Sequence, residues 1–226
     1  MGIKINAVAK LHLFADALII ALDERDTYTR SHCNRVAVLA KELGEACELS
    51  CNELELLHLS ALLHDIGKID IPDEILLKSS ALNGEEWSVM KTHSEKGEQI
   101  VSFAGTEFVK DLAPIIRHHH ESFDGGGYPD GLCGENIPLL SRLLLVVDAY
   151  DAMRTWRPYH KVRTHSEVME ILDSENGRKF DPDILLEFAG LIDKSPSLAN
   201  YFDMRKTNVN GCSRDSRTSA WVGNTD

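Results

Sequence analysis

An all-α domain is the fold class predicted by this chain of 226 residues, and three observations carry the prediction. Apolar residues recur at helical spacing, as at Val36, Leu39, Ala40 and Leu43. Helix-start signatures precede such stretches: Ser50 with Glu53 and Thr164 with Glu167 read as capping boxes, and Asp181 and Pro182 as an N-cap followed by proline at the first helical position. No alternation of apolar and polar residues runs long enough for a sheet.

The elements follow in order. Residues 1–16 read as an N-terminal helix region, 17–194 as one helical bundle and 195–226 as a polar tail with little to bury. The apolar stretch from Leu11 to Leu22 is interrupted by His12 and Asp16 and falls short of the roughly 20 residues a membrane span needs. No small-residue cleavage site follows it, so neither a span nor a signal peptide is expected. Its Leu11, Leu13, Phe14 and Leu18 suit burial against the domain or contact with a second copy or another protein. The next helix begins at His32 and carries Val36 and Leu39. A Leu-rich helix capped by Ser50 runs through Leu54, Leu57 and Ala61 to Leu62, Leu63, His64 and Asp65, with Gly67 read as its stop. An amphipathic stretch holds His93, and another helix ends in Arg117, His118, His119, His120 and Glu121. The glycine-dense loop Asp124–Gly131 separates it from an apolar helix spanning Leu139 to Met153.

Composition excludes several function classes. With 24 Lys and Arg against 36 Asp and Glu, the net charge is −12. That balance argues against a grip on DNA and repels any anionic substrate unless cations are bound locally. The chain is 43% hydrophobic and 27% charged, enough to fill a core and to exclude wholesale disorder. Five cysteines, an odd number without a CxxC pair, fit small buried residues in a reduced cytoplasm rather than disulfides or a thiolate zinc site.

The chemistry-bearing residues are histidines and carboxylates. His64 and Asp65 end an apolar helix, where an uncompensated carboxylate is costly, and Lys68 follows one turn on. His118 and His120 point to roughly opposite sides of a helix, so one adjacent pair of the triplet serves as ligands while the third faces elsewhere. Glu121 either orients a ligand imidazole or sits in water. Asp148 interrupts Leu143–Val147, a run that belongs in a core, and such a carboxylate needs a cation, a metal or several donors. Asp151 lies one turn further on. With His93 and His32 these form a nitrogen and oxygen donor set without sulfur, which suits iron, manganese, nickel or zinc better than calcium. Two divalent ions a few ångströms apart would support metal-assisted hydrolysis of a phosphate ester.

Taken together these residues resemble the HD-GYP phosphodiesterases, a bacterial branch of the HD-domain metal hydrolases. The resemblance covers roughly Ala17 to Phe188. It rests on Asp26–Thr29, His32, Leu63–Lys68, Ile71–Asp73, His93, His119–Glu121, Asp124 and Gly125, Gly127–Pro129, Asp148, Asp151 and Ala152, Arg157–Tyr159 and Phe180–Pro182. It implies hydrolysis of the 3′–5′ phosphodiester of a cyclic dinucleotide, cyclic di-GMP or 3′,3′-cyclic GMP-AMP, at a buried dinuclear site. By that pattern His64, Asp65, His93, His119, His120 and Asp148 are metal ligands, with Asp65 bridging, and His32 is a further one. Lys68 lies over the metals as a catalytic and substrate-binding group; Tyr128, Asp151 and Arg157 contact substrate. Two departures stand out. Tyr28 occupies the place of a glutamate found in three-metal members, which favours two ions. His160 stands where a lysine or arginine often follows, making one substrate contact weaker or pH-dependent. The competing readings are a cyclic-dinucleotide receptor or protein-interaction module, a di-iron HD oxygenase and a general HD nucleotidase.

Overall fold

The computed structural model describes residues 2–105, 107–155 and 162–194, with 2–11, 27 and 28 as backbone alone. Ten α-helices succeed one another among these residues: α1 (Gly2–Asp23), α2 (Thr27–Ala46), α3 (Cys51–Leu63), α4 (Asp73–Leu76), α5 (Gly84–Lys91), α6 (His93–Ser102), α7 (Val109–His118), α8 (Leu139–Arg154), α9 (His165–Ser174) and α10 (Pro182–Lys194). Short 3₁₀ turns at Ile66–Asp70 and Gly134–Asn136 complete the order, and the described residues contain no β-strand. The expected all-α fold is therefore present. Residues 195–226, Arg157 and His160 lie outside the described residues, as does the side chain of Tyr28.

Local signals explain where the helices start. Ser50 and Thr164 accept from the backbone N–H of Glu53 and Glu167, whose carboxylates accept in return from the cap residues. Asn83 and Glu86 form a third such box at α5, one the sequence reading passed over. Asp181 Oδ1 accepts from the N–H groups of Asp183 and Ile184 at the start of α10. Each box satisfies N-terminal donors that have no partner inside the helix.

Helix α3 is the axis of the structure. Its second half, from Leu57 to Leu63, is buried on more than one side, whereas Asn52, Glu53 and Glu55 keep its first turns polar. Its Leu57 and Ala61 join one core with Val36, Leu43, Leu143, Val147 and Phe188 from α2, α8 and α10. Its Leu59 and Leu63 join a second with Ala15, Leu22, Leu112 and Ile116 from α1 and α7. Helix α1 runs unbroken through residue 16 to Asp23 and seats Ala15 and Leu22 in that second core. The same helix leaves Leu13 70% exposed. No helix among the described residues is long and apolar enough to cross a membrane.

Gly67 acts differently from a helix stop. It lies inside the 3₁₀ turn, so close to α6 that a Cβ there would sit 1.8 Å from the carbonyl oxygen of His93. Gly97 faces it from α6. The missing side chains let the turn after Asp65 lie directly against the helix that carries His93. Gly67→Ala is accordingly expected to lower the unfolding free energy by about 1–3 kcal/mol or more. Gly84→Ala, in the first turn of α5 where a Cβ meets nothing within 4 Å, is expected to be neutral or stabilising by up to roughly 1 kcal/mol. Urea denaturation of the two variants checks both.

Candidate metal centre

The fold brings helix ends together around one point. His64 is the C-cap of α3 and His119 that of α7, while His93 opens α6 and Asp65 leads into the 3₁₀ turn. Helix C-termini carry partial negative charge, so two of these ends favour a cation. His32 reaches the same point from α2, and Asp148 from α8.

The side chains form two clusters, His32 with His64 and Asp148, and His93 with His119 and His120; within each, donor atoms lie within 4.8 Å of one another. Asp65 stands between them. Its Oδ1 is 3.6 Å from His93 Nε2, and its Oδ2 is 3.4 Å from His64 Nε2 and 3.9 Å from His32 Nε2. Asp148 Oδ1 lies 3.0 Å from His32 Nε2 and 3.9 Å from His64 Nε2.

Hydrogen bonding on the outer side of the rings shows what the inner side requires. His64, His93 and His119 each donate from Nδ1 to the carbonyl three residues earlier, on Ala61, Met90 and Ile116, at 2.8, 2.8 and 2.6 Å. A neutral imidazole with its proton on Nδ1 presents a bare lone pair at Nε2. The Nε2 atoms of His93 and His119 face each other at 3.4 Å, and the buried Nε2 of His64 makes no hydrogen bond. Burial, the largest cause, holds the pKa of His93 down to about 4 and that of His119 to about 3, so a proton does not bridge them at neutral pH. Converging lone pairs beside two carboxylates are the donor set of a cation site, and the residues present fit divalent metal.

Burial also works against a charged His32, but the carboxylates of Asp148 and Asp151 outweigh it and raise its pKa to about 9. Burial likewise opposes the charges on Asp65 and Asp148. Lys68 and the surrounding histidines nevertheless hold Asp65 well below the usual carboxylate range, and His32 above all does so for Asp148. Lys68 Nζ lies 2.7 Å from Asp65 Oδ2.

His32, Asp65, His93, His120 and Asp148 line a cavity of about 990 Å³, with His64 and His119 behind them. Lys68 and Tyr128 line it, and one flank is apolar, with Leu76, Leu77, Leu82, Trp87 and Met90. The other flank carries Ala149, Ala152, Met153, Ile171 and Phe180, with Glu175 and Lys179. Tyr128 packs at 4.9 Å and 34° on the ring of His120. Its loop is anchored from two sides. Glu121 is buried and accepts from the backbone N–H of Asp130 and Leu132, so it neither orients an imidazole nor sits in water. The N–H groups of Phe123 and Asp124 donate to the carbonyls of Lys179 and Arg178. Gly127 answers to the protein itself, since a Cβ there would lie 2.1 Å from the amide nitrogen of Ser122. His118 turns away from the centre to Asp130, which Arg117 also holds.

One expected substrate contact is corrected. Asp151 does not line the cavity: its side chain is 0% exposed, and it accepts from His32 Nδ1 at 2.6 Å and from Arg35 at 2.7 and 2.9 Å. One helical turn separates it from Asp148 on α8, so the two carboxylates meet opposite nitrogens of the same ring. Arg35 was missed in the sequence, although a cation beside Val36 and Ala37 on the buried face of α2 was a usable signal. Trp87, Lys78, Glu175 and Lys179 were also missed, because they come from segments with no periodic pattern leading into the site.

A family model described as an HD domain matches residues 16–184. The chain belongs to the HD-domain family. Among its curated relatives, a cyclic di-GMP phosphodiesterase response regulator of Xanthomonas campestris pv. campestris is 40% identical over 72% of this chain. A 3′3′-cGAMP-specific phosphodiesterase of Vibrio cholerae is 34% identical over 74%. The chain spans only 43% and 33% of those relatives' own lengths. Two solved structures share the fold. A cyclic GMP-AMP-specific phosphodiesterase of V. cholerae has a TM-score of 0.64 at 21% identity, covering 87% of this chain and 52% of that one. The HD domain of the L. monocytogenes phosphodiesterase PgpH has a TM-score of 0.59 at 14% identity, covering 84% and 98%.

The buried histidines set a pH dependence for the metal-free protein. His93 and His119 have folded pKa values below that of a free histidine, so the unfolded chain takes up protons that the folded one refuses. Stability is expected to fall as pH drops from about 6.5 toward 4, and Asp65 and Asp148, with lowered values, add to the loss at lower pH. His32 has the opposite sign and loses its contribution only as pH rises through about 9. Thermal melts of the chelated protein between pH 4 and 7.5 check the acid limb.

Proposed function

We propose that this chain is an HD-GYP phosphodiesterase domain that opens a 3′–5′ phosphodiester of a cyclic dinucleotide, cyclic di-GMP or 3′,3′-cyclic GMP-AMP, to the linear dinucleotide. The observation that carries this is the pair of donor clusters on either side of Asp65, opening through His32, Asp65, His93, His120 and Asp148 onto a cavity of about 990 Å³. That space is at the upper end of small-molecule sites. The relatives, a cyclic di-GMP and a 3′3′-cGAMP phosphodiesterase, point to the same substrate class.

His32, His64 and Asp148 would hold one ion and His93, His119 and His120 the other, with Asp65 shared. Two ions, drawn from iron, manganese, nickel and zinc, would supply Lewis-acid polarisation of the phosphodiester and acidify water. The chain's own groups do the rest. Lys68, 18% exposed at the cavity, places an ammonium beside Asp65 where phosphoryl charge builds up. Lys179 adds an ammonium on the wall of a protein of net charge −12, whereas Lys78 on the same wall is held by both carboxylate oxygens of Glu86. Tyr128, fixed on His120, offers a face for a base, and Trp87 stands edge-on to it. Arg157 would hold a phosphate or guanine edge. Unpaired Cys33, Cys47, Cys51 and Cys133 suit the reducing cytoplasm of a bacterium. Leu13 and Ile20 give the exposed α1 face that a second copy or a signalling partner would use.

Mn²⁺-loaded protein incubated with each dinucleotide, with products separated chromatographically, tests the reading. Chelation should abolish turnover, and Asp65→Asn should lower kcat by more than roughly 100-fold. Lys68→Ala should cost about 10²- to 10³-fold in kcat. Tyr128→Ala should chiefly raise KM, whereas Tyr128→Phe should leave it within about 2-fold. Cleavage indifferent to chelation and to Asp65→Asn would overturn the proposal; oxygen uptake, or cleavage of mononucleotides only, would point to another HD chemistry.

A further inference from the structure

The two donor clusters differ in what stands behind their rings. His64, His93 and His119 give their Nδ1 protons to neutral backbone carbonyls, but His32 gives its own to a carboxylate, Asp151 Oδ2, at 2.6 Å. A carboxylate behind a histidine fixes the tautomer and makes the opposite nitrogen a stronger donor. Asp151 cannot leave that task. It is fully buried, and Arg35 holds both of its oxygens, at 2.7 and 2.9 Å, while also reaching Thr155 Oγ1 at 3.2 Å. Arg35 itself is buried, so Asp151 meets a permanent countercharge and has no freedom to rotate toward the centre.

Formal charge adds to the difference. The His32 cluster owns Asp148 outright, whereas the His93 cluster consists of three imidazoles and has only its share of Asp65. A divalent ion therefore meets more negative charge and a more basic imidazole on the α2–α8 side.

We propose that the two half-sites are unequal: the one built on His32, His64 and Asp148 binds its ion more tightly, and Asp151 and Arg35 are positioning residues that make it so. The inference rests on the metal-centre reading and not on the identity of the substrate. The half-site on His93, His119 and His120 is the one that exchanges its ion, so metal supply acts on activity through it.

Calorimetric titration of the chelated full chain with Mn²⁺, paired with electron paramagnetic resonance of bound Mn²⁺, tests this. Wild type should bind in two steps separated by about 10-fold or more, and His120→Ala should remove the weaker step while keeping the tighter. Asp151→Asn should weaken the tighter step by roughly 10- to 100-fold and leave the weaker within about 2-fold. Arg35→Lys keeps the charge but loses the two-oxygen grip, and should weaken the same step alone by about 3-fold or more. Circular dichroism verifies folding; if Asp151→Asn does not fold, Arg35→Lys decides. A single wild-type step, equal loss in both steps, no loss in either, or loss of the tighter step in His120→Ala would overturn the inference. Two unequal steps in a protein that cleaves no cyclic dinucleotide would overturn the proposed function and leave this inference standing.

Discussion

Two imidazole nitrogens that point their lone pairs at each other across 3.4 Å, on His93 and His119, are the constraint around which the rest of the structure is arranged. In water such a pair would separate or share a proton. Here each ring is held at Nδ1, His119 by the Ile116 carbonyl of α7 and His93 by the Met90 carbonyl at the end of the preceding helix α5, and burial keeps a proton away. A donor set that suits a cation is thus built by the folding of α5, α6 and α7 rather than assembled from mobile side chains.

The surrounding helices exist in the form that this requirement demands. Placing His64 and Asp65 in the interior needs a helix end that can be buried on several sides, which α3 provides over Leu57–Leu63, where Leu57, Leu59, Ser60, Ala61 and Leu63 are all buried. Bringing His93 close to Asp65 needs two backbones to touch, which Gly67 and Gly97 allow. Delivering Asp148 needs a carboxylate in the middle of α8, a position its buried neighbours would otherwise make costly, and His32 supplies the compensating contact.

Much of this was legible in the sequence, and the exceptions share a cause. Capping boxes and periodic leucines are local signals, so the helices could be read from short windows. The donor residues stood out because histidines and aspartates were set in apolar company. Gly67 was misread as a stop because closeness to a helix 26 residues away leaves no local trace. The family resemblance alone points Asp151 toward substrate, and position along α8 does not reveal which end of His32 a carboxylate meets. Glu121 was judged by its histidine neighbours, whereas its partners are the backbone groups of Asp130 and Leu132. Arg35 and the Asn83 cap were visible in type but not in role.

The loop that carries Tyr128 has a thermodynamic consequence of its own. Glu121, the carbonyls of Arg178 and Lys179, and the close fit of Gly127 all secure it before any ligand arrives. The entropy of ordering those residues is therefore lost once, during folding, and not again at every encounter. On the proposed function, a ligand meeting this wall would dock onto a rigid surface, and discrimination between ligands there would come from shape and contact rather than from a closing segment.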